Sequence, residues 1–147
     1  MKVDELMTPN PECCTQDESI VDAARIMRNR DVGSVPVVES RDTRKVVGVV
    51  TDRDIAIRAV ADGKDPDAVS CREVMTEEIV CCRPDDDISE VKRLMEERQL
   101  RRILVCDERG SLLGVVAIAD LARELQARQV GETEQSIAEP SGRTPTA

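Results

Sequence analysis

A chain of 147 residues has room for one core, or for two half-sized units packed into one, and none for a separate catalytic domain. A net charge of −9, from 21 basic and 30 acidic residues, opposes any nonspecific pull toward nucleic acid or anionic lipid. Histidine, tryptophan, tyrosine and phenylalanine are all absent, which removes the commonest general base, the commonest metal ligand and every aromatic platform for stacking a base.

The core must therefore be built from Val, Ile, Leu, Met, Ala and Cys. No apolar run approaches the roughly 18 residues of a membrane span, and the opening Met1-Lys2-Val3-Asp4-Glu5 lacks the apolar stretch of a signal peptide. The expectation is a cytoplasmic protein whose six cysteines (13, 14, 71, 81, 82 and 106) are reduced thiols.

In chain order, residues 12–15 predict a short strand. Ile20, Ala23, Ala24 and Met27 recur at helical spacing after a capping Ser19 and predict a helix over 19–30. Val35-Pro36-Val37-Val38 and Val46-Val47-Gly48-Val49-Val50 predict a hairpin, and their near-continuous apolarity predicts strands buried on both faces. A helix from Asp54 to Ala61 follows, broken by Asp62-Gly63-Lys64-Asp65-Pro66.

The second half repeats this order: a strand over 79–82, a helix over 87–98 on Ile88, Val91, Leu94 and Met95, a hairpin of Ile103–Cys106 with Leu112–Val116, and a helix from Asp120 to Gln129. Asp87 with Glu90 three residues later resembles a capping box. Beyond 129 almost no apolar residues remain, so 130–147 reads as a disordered tail.

The halves are two copies of one unit. Val3–Thr8 returns as Cys71–Thr76, Cys13-Cys14 as Cys81-Cys82, and Ala24–Met27 as Lys92–Met95, all at an offset of 68. Gly48-Val49-Val50 returns as Gly114-Val115-Val116 after a two-residue slip that the longer first hairpin link explains. Two copies are too few for a solenoid, so they imply one α/β (α+β) module of two βαββα repeats, 1–66 with its linker and 67–129, with function where they meet.

Gly48-Val49-Val50-Thr51-Asp52-Arg53-Asp54 delivers a hydroxyl and a carboxylate to a helix start. An Asp there can accept two hydrogen bonds from a cis-diol while the Thr hydroxyl meets a phosphate; equally, Thr51 or Asp54 can do no more than cap the helix. Arg101-Arg102 reads either as a phosphate contact or as a solvated strand edge. Cys13-Cys14 and Cys81-Cys82 invite a four-thiolate metal site, but neighbours in a strand point to opposite faces and no C-x₂-C spacing exists, so they read as small core hydrophobes, as do the repeated methionines.

Two such units, each opening on Met-Thr and closing on a Gly-h-h-Thr/Ser-x-x-Asp pattern with h apolar, resemble a tandem pair of CBS domains, a Bateman module of the small stand-alone bacterial kind. The resemblance implies two halves packed sheet to sheet about a pseudo-two-fold axis, a homodimer formed through helices beside two clefts, and an adenine nucleotide such as AMP or ATP as regulatory ligand, with no required cofactor or metal and no enzymatic activity. Carried over by position, the first cleft takes Asp54 to the ribose, Thr51 and Arg53 to phosphate, Gly33 and Ser34 at the strand entrance, and Ile79, Val80 and Cys81 around the base. The second takes Asp120 to the ribose, Arg101 and Arg102 to phosphate, and Glu12, Cys13 and Cys14 around the base. The second copy departs from the pattern with Ala117 in place of the hydroxyl, the first with Gly33-Ser34 where the second has arginines. The competing expectation is a ligand-independent dimerisation scaffold with vestigial clefts; the protein partner is unknown under either.

Overall fold

A computed structural model describes the backbone of residues 1–141 and the side chains of 1–131. Among these residues the strands are β1 (Thr8–Pro9), β2 (Cys14–Thr15), β3 (Ser34–Val38), β4 (Val46–Thr51), β5 (Cys81–Cys82), β6 (Arg102–Cys106) and β7 (Leu112–Ala117). The helices are α1 (Ile20–Arg30), α2 (Asp52–Ile55, widening into a π turn over Ala56–Val60), α3 (Cys71–Val74), α4 (Ile88–Glu97) and α5 (Ile118–Ser141). Both βαββα units are present. One sheet runs β2-β3-β4 and the other β1-β7-β6-β5; each adds a parallel strand, β2 or β5, to its antiparallel central hairpin, and the second also pairs β1 antiparallel with β7.

The opening segments are exchanged between the halves. Thr8 and Pro9 pair with Val115 and Gly114 of the second half, while Thr76 bridges Val49 of the first. Val3 donates its N–H to the Asp86 carbonyl (3.0 Å) and Cys71 to that of Glu18 (2.8 Å), so the exchange obeys the same offset of 68. Consequently Val3 is buried with Cys82, Ile88, Met95, Ile103 and Leu121, whereas Val69, Cys71, Val74 and Met75 complete the core of Cys14, Ile20, Ala23, Val35 and Val50. A third apolar layer of Cys13, Val38, Val46, Leu104, Cys106 and Leu112 joins the facing sheets.

At one end the hairpin tips lock together: Val46 N–H donates to the Gly110 carbonyl (3.0 Å), Leu112 N–H to that of Arg44 (2.8 Å), and Ser111 Oγ to that of Thr43 (2.7 Å). Arg44 also donates from Nη2 to the Pro11 carbonyl at 3.2 Å. The sheets are thus closed at the tips, which leaves any opening at the far end, where the strands meet α2 and α5.

Several sequence expectations change. β4 and β7 alternate buried and half-buried residues rather than being buried on both faces, because only one face of each meets its own helices. Asp87 caps α4 through Ser89 N–H (2.9 Å) and not through a box with Glu90. The helices expected at Asp54 and Asp120 begin two residues earlier, at Asp52 and Ile118. α5 continues through Ser141, past the start of the expected tail: the Glu, Gln and Ala that make 130–141 poor core formers are good helix formers. Residues 142–147 of that tail lie outside the described residues.

The repeated glycines sit where the exchanged segments cross. A Cβ at Gly48 would lie 2.6 Å from Met75 Sδ and 3.0 Å from the Thr76 carbonyl, and one at Gly114 2.6 Å from Met7 Sδ and 2.9 Å from the Thr8 carbonyl. Gly48→Ala should therefore lower unfolding free energy by about 1–3 kcal/mol, the usual cost of overpacking. Gly131→Ala, where nothing lies within 4 Å on α5, should instead raise it by about 0.5–1 kcal/mol; denaturant titration checks both.

Cap carboxylates give a pH dependence of known sign. The Ser70 backbone N–H holds Glu73 below its ordinary 4.5, and Ser89 holds Asp87 below its ordinary 3.8 through its hydroxyl and N–H. A carboxyl lowered in the folded state contributes stability that is complete above its unfolded pKa and lost as pH falls through the folded one. The thermal midpoint should fall between about pH 5 and about pH 2, and Glu73→Gln with Asp87→Asn should flatten that slope.

Candidate functional site

A cleft of about 890 Å³ opens between the sheets at the end away from the hairpin tips. β3 and β4 bring Ser34 opposite Thr51, and β6 and β7 bring Arg102 opposite Ala117 in the same register. Each corner is closed by one backbone bond, Asp52 N–H to the Gly33 carbonyl (2.9 Å) and Ile118 N–H to the Arg101 carbonyl (2.8 Å). The two corners are equivalent in backbone and different in chemistry.

Of the sequence-derived residues, Gly33, Ser34, Thr51, Ile79, Val80, Glu12, Arg101 and Arg102 line this one cleft, and Arg53, Asp54, Cys81, Asp120, Cys13 and Cys14 do not. Cys14 turns into the first-half core and Cys82 into the second, while Cys13 joins the layer between the sheets. Burial pushes the Cys82 thiol up to about 12, which marks it as a packing residue.

Thr51 and Asp54 form a reciprocal cap. Asp54 N–H donates to Thr51 Oγ1 (3.0 Å) and Thr51 N–H to Asp54 Oδ2 (2.9 Å). Asp54 is buried to 9 % exposure, with Arg58 Nε 3.9 Å from its other oxygen. Arg58 in turn donates to the carbonyls of Val74 (3.1 Å) and Met75 (3.3 Å), tying α2 to the exchanged segment. What remains for a ligand is the Thr51 hydroxyl proton and Asp54 Oδ1. In the second half Asp120 is more open and pairs with Arg123 at 3.2 Å.

The structure adds residues that the sequence reading passed over. Thr8, Pro9 and Asn10 on one side and Thr76 and Glu78 on the other line the cleft because of the exchange, for which the repeated Met-Thr was the available signal. Asp52 is the most consequential addition. It lies beside Gly33, where a Cβ would stand 3.2 Å from its Oδ2, and the only described bond to its carboxylate is a 2.8 Å one from Arg53 N–H. Its repeat counterpart is the apolar Ile118.

The charges are segregated. Asp52 at one corner, and Arg101 and Arg102 at the other, make no ion pair among the described residues, whereas Arg30 and Glu12 between them pair at 3.2 Å. The hydrogen bond from Arg30 holds the Glu12 carboxyl below its ordinary value. No group of three or more His, Cys, Asp or Glu is gathered for a metal among the described residues.

The CBS domain family model matches residues 3–60 and again 71–127. The chain belongs to the CBS-domain family, as a tandem pair. This CBS pair is 32% identical over 136 residues to hypoxic response protein 1 of Mycobacterium tuberculosis, covering 92% of this chain and 93% of that protein. A crystal structure of hypoxic response protein I with two coordinated zinc ions superposes with a TM-score of 0.73 at 34% identity, over 84% of this chain and 98% of the other. The CBS pair of protein MJ0100 in complex with 5′-methylthioadenosine and S-adenosyl-L-methionine gives 0.71 at 25% identity, over 85% and 99%.

The cap at the Gly-Val-Val-Thr corner of this CBS pair has a measurable cost of removal. Thr51→Ala should destabilise by about 1 kcal/mol through loss of the Oγ1 acceptor, while Thr51→Ser should restore most of it; chemical denaturation of the two variants checks the assignment.

Proposed function

We propose that this CBS pair is a small non-enzymatic regulatory module that binds an adenine nucleotide or a related adenosine-containing ligand between its repeats and signals occupancy to a dimer mate or protein partner. The observation that carries the reading is the cleft itself: its volume of about 890 Å³ falls within the usual ligand-pocket range of roughly 300–1,000 Å³. Its walls include Ile79, Val80, Leu104 and Val115, and its two equivalent corners present Ser34, Thr51 and Asp52 on one side and Arg101 and Arg102 on the other. The adenosine ligands of the MJ0100 complex support the ligand class.

The corners favour different ligands. An arginine on phosphate contributes about 1.5–3 kcal/mol and a neutral hydroxyl bond about 1, so the Arg101-Arg102 corner suits a phosphorylated ligand. Asp52 beside Thr51 disfavours phosphate at the other, which suits a nucleoside or a ligand whose 5′ group is neutral or cationic. Asp54 Oδ1 and Asp120 lie outside the cleft lining, in the first turns of α2 and α5, and are the groups we assign to the ribose hydroxyls of a ligand that reaches past each corner.

A scaffold reading is favoured by one specific fact, that Thr51 and Asp54 already satisfy each other in the helix cap. Either reading uses a homodimer, for which the exposed Ile57 and Val60 on α2 (47 and 62 % exposed) offer an apolar contact. We place the protein in the cytoplasm, a compartment that keeps its six thiols reduced. No helix among the described residues is long and apolar enough to cross a membrane.

With no aromatic side chain, the protein is nearly transparent near 260 nm, so nucleotide carried through purification should dominate its ultraviolet spectrum. Calorimetric titration with AMP, ATP, methylthioadenosine and S-adenosylmethionine should give saturable heat. Arg101→Gln and Arg102→Gln should each weaken the phosphorylated ligands about tenfold and leave uncharged methylthioadenosine unchanged, and Asp54→Ala and Asp120→Ala should weaken all. No heat from any of the four would decide for the scaffold.

A further inference from the structure

The strongest cluster outside the cleft lining is a sulfur pair. Parallel pairing of β5 with β6 sets Cys81 against Leu104, and Cys106 two residues further on brings its Sγ to 3.2 Å from that of Cys81. Cys81 is exposed, while Cys106 is 2 % exposed in the layer between the sheets. Ile79 and Leu104, each two residues before one of these cysteines, line the cleft. The pair therefore stands immediately behind the cleft wall with one sulfur open to solvent.

We propose that Cys81 and Cys106 form a peroxide-oxidisable dithiol site, in which solvent-exposed Cys81 is attacked first and buried Cys106 resolves it to a disulfide that ties β5 to β6 behind the cleft. The Cys81 thiolate attacks one peroxide oxygen; an S–O bond forms, the O–O bond breaks, and the other oxygen leaves as hydroxide that takes up a proton. The Cys106 sulfur then attacks the Cys81 sulfenic acid. An S–S bond forms, the S–O bond breaks, and the departing hydroxide leaves as water with the Cys106 proton. Two thiols are oxidised by two electrons and one hydroperoxide is reduced to two waters, or to a water and an alcohol where it is an organic hydroperoxide. Reaching a bond of about 2.05 Å from the observed separation takes about 1 Å of movement.

Selectivity follows from access and thiolate character together. The hydrogen bond from the Cys106 thiol, aided by the Arg83 charge, holds Cys81 below the ordinary thiol value, while the same contact raises Cys106. The other close pair, Cys14 and Cys71, is 0 % exposed at both residues, with the Cys71 thiol turned to the Ser19 carbonyl at 3.8 Å. The first repeat has no equivalent site, because Cys13 occupies the place of Cys81 but Val38 that of Cys106. That correspondence also supplies the test substitution, since Cys106→Val installs the residue the other repeat already packs there.

The reduced full chain is exposed to hydrogen peroxide, quenched with an alkylating agent, digested with trypsin and weighed. The expected result is a linkage between the peptides 73–92 and 103–109, lighter by two hydrogens than their sum, formed at least about tenfold faster than any other cysteine pairing. Cys81→Ser and Cys106→Val should each abolish it, Cys82→Ser should preserve it, and dithiothreitol should reverse it. Overoxidation of Cys81 with Cys106 still alkylatable, a faster Cys14–Cys71 linkage, or a linkage that survives Cys81→Ser would each overturn the proposal.

Discussion

Everything in this molecule depends on the crossing of each repeat's opening segment over the last hairpin strand of the other. Met7 and Thr8 lie on Gly114, Met75 and Thr76 on Gly48, at separations that leave no room for a β-carbon. The crossing determines which residues form each core: Val3 belongs to the second half, and Val69, Cys71, Val74 and Met75 to the first. A half removed from its partner would lose part of its own interior, so the two repeats are one cooperative unit. The same crossing lays Thr8 and Thr76 along the cleft, so the constraint that stabilises the fold also builds the candidate site.

Upon this symmetric frame the side chains diverge. Equivalent backbone corners hold Gly33, Ser34, Thr51 and Asp52 on one side and Arg101, Arg102, Ala117 and Ile118 on the other. Asp52 and the two arginines are exposed and make no ion pair among the described residues, which leaves their charges free to discriminate ligands. Arg58, which ties α2 to the Val74 and Met75 carbonyls, has Glu124 as its counterpart, so the halves are also braced differently.

Much of this was legible in the sequence because it is local. Helical spacing of Ile20, Ala23 and Met27 and of Ile88, Val91 and Met95 located α1 and α4 to within a residue or two, and β-branched runs located both hairpins. Local signals failed where two of them compete. Asp87 had Ser89 nearer than Glu90 and used it. Polar residues beyond 129 cannot make a core yet form a helix readily, so a composition that argues against packing did not argue against α5.

The candidate site divides along the same line. Position within the repeat brought Gly33, Ser34, Thr51, Arg101 and Arg102 to the corners, since their register follows from hairpins that the sequence specifies. It could not place Asp52, which a helix starting two residues early turns toward the cleft, nor the pairing of Cys81 with Cys106, which needs the alignment of β5 on β6. By itself the sequence determined two copies of one βαββα unit, their elements, and the residues at which they differ, because strand and helix periodicities and caps act over a few residues. Only the tertiary structure decided that the copies exchange their opening segments, that both corners face one cleft, and which charges there go unpaired, because those contacts join residues about half the chain apart.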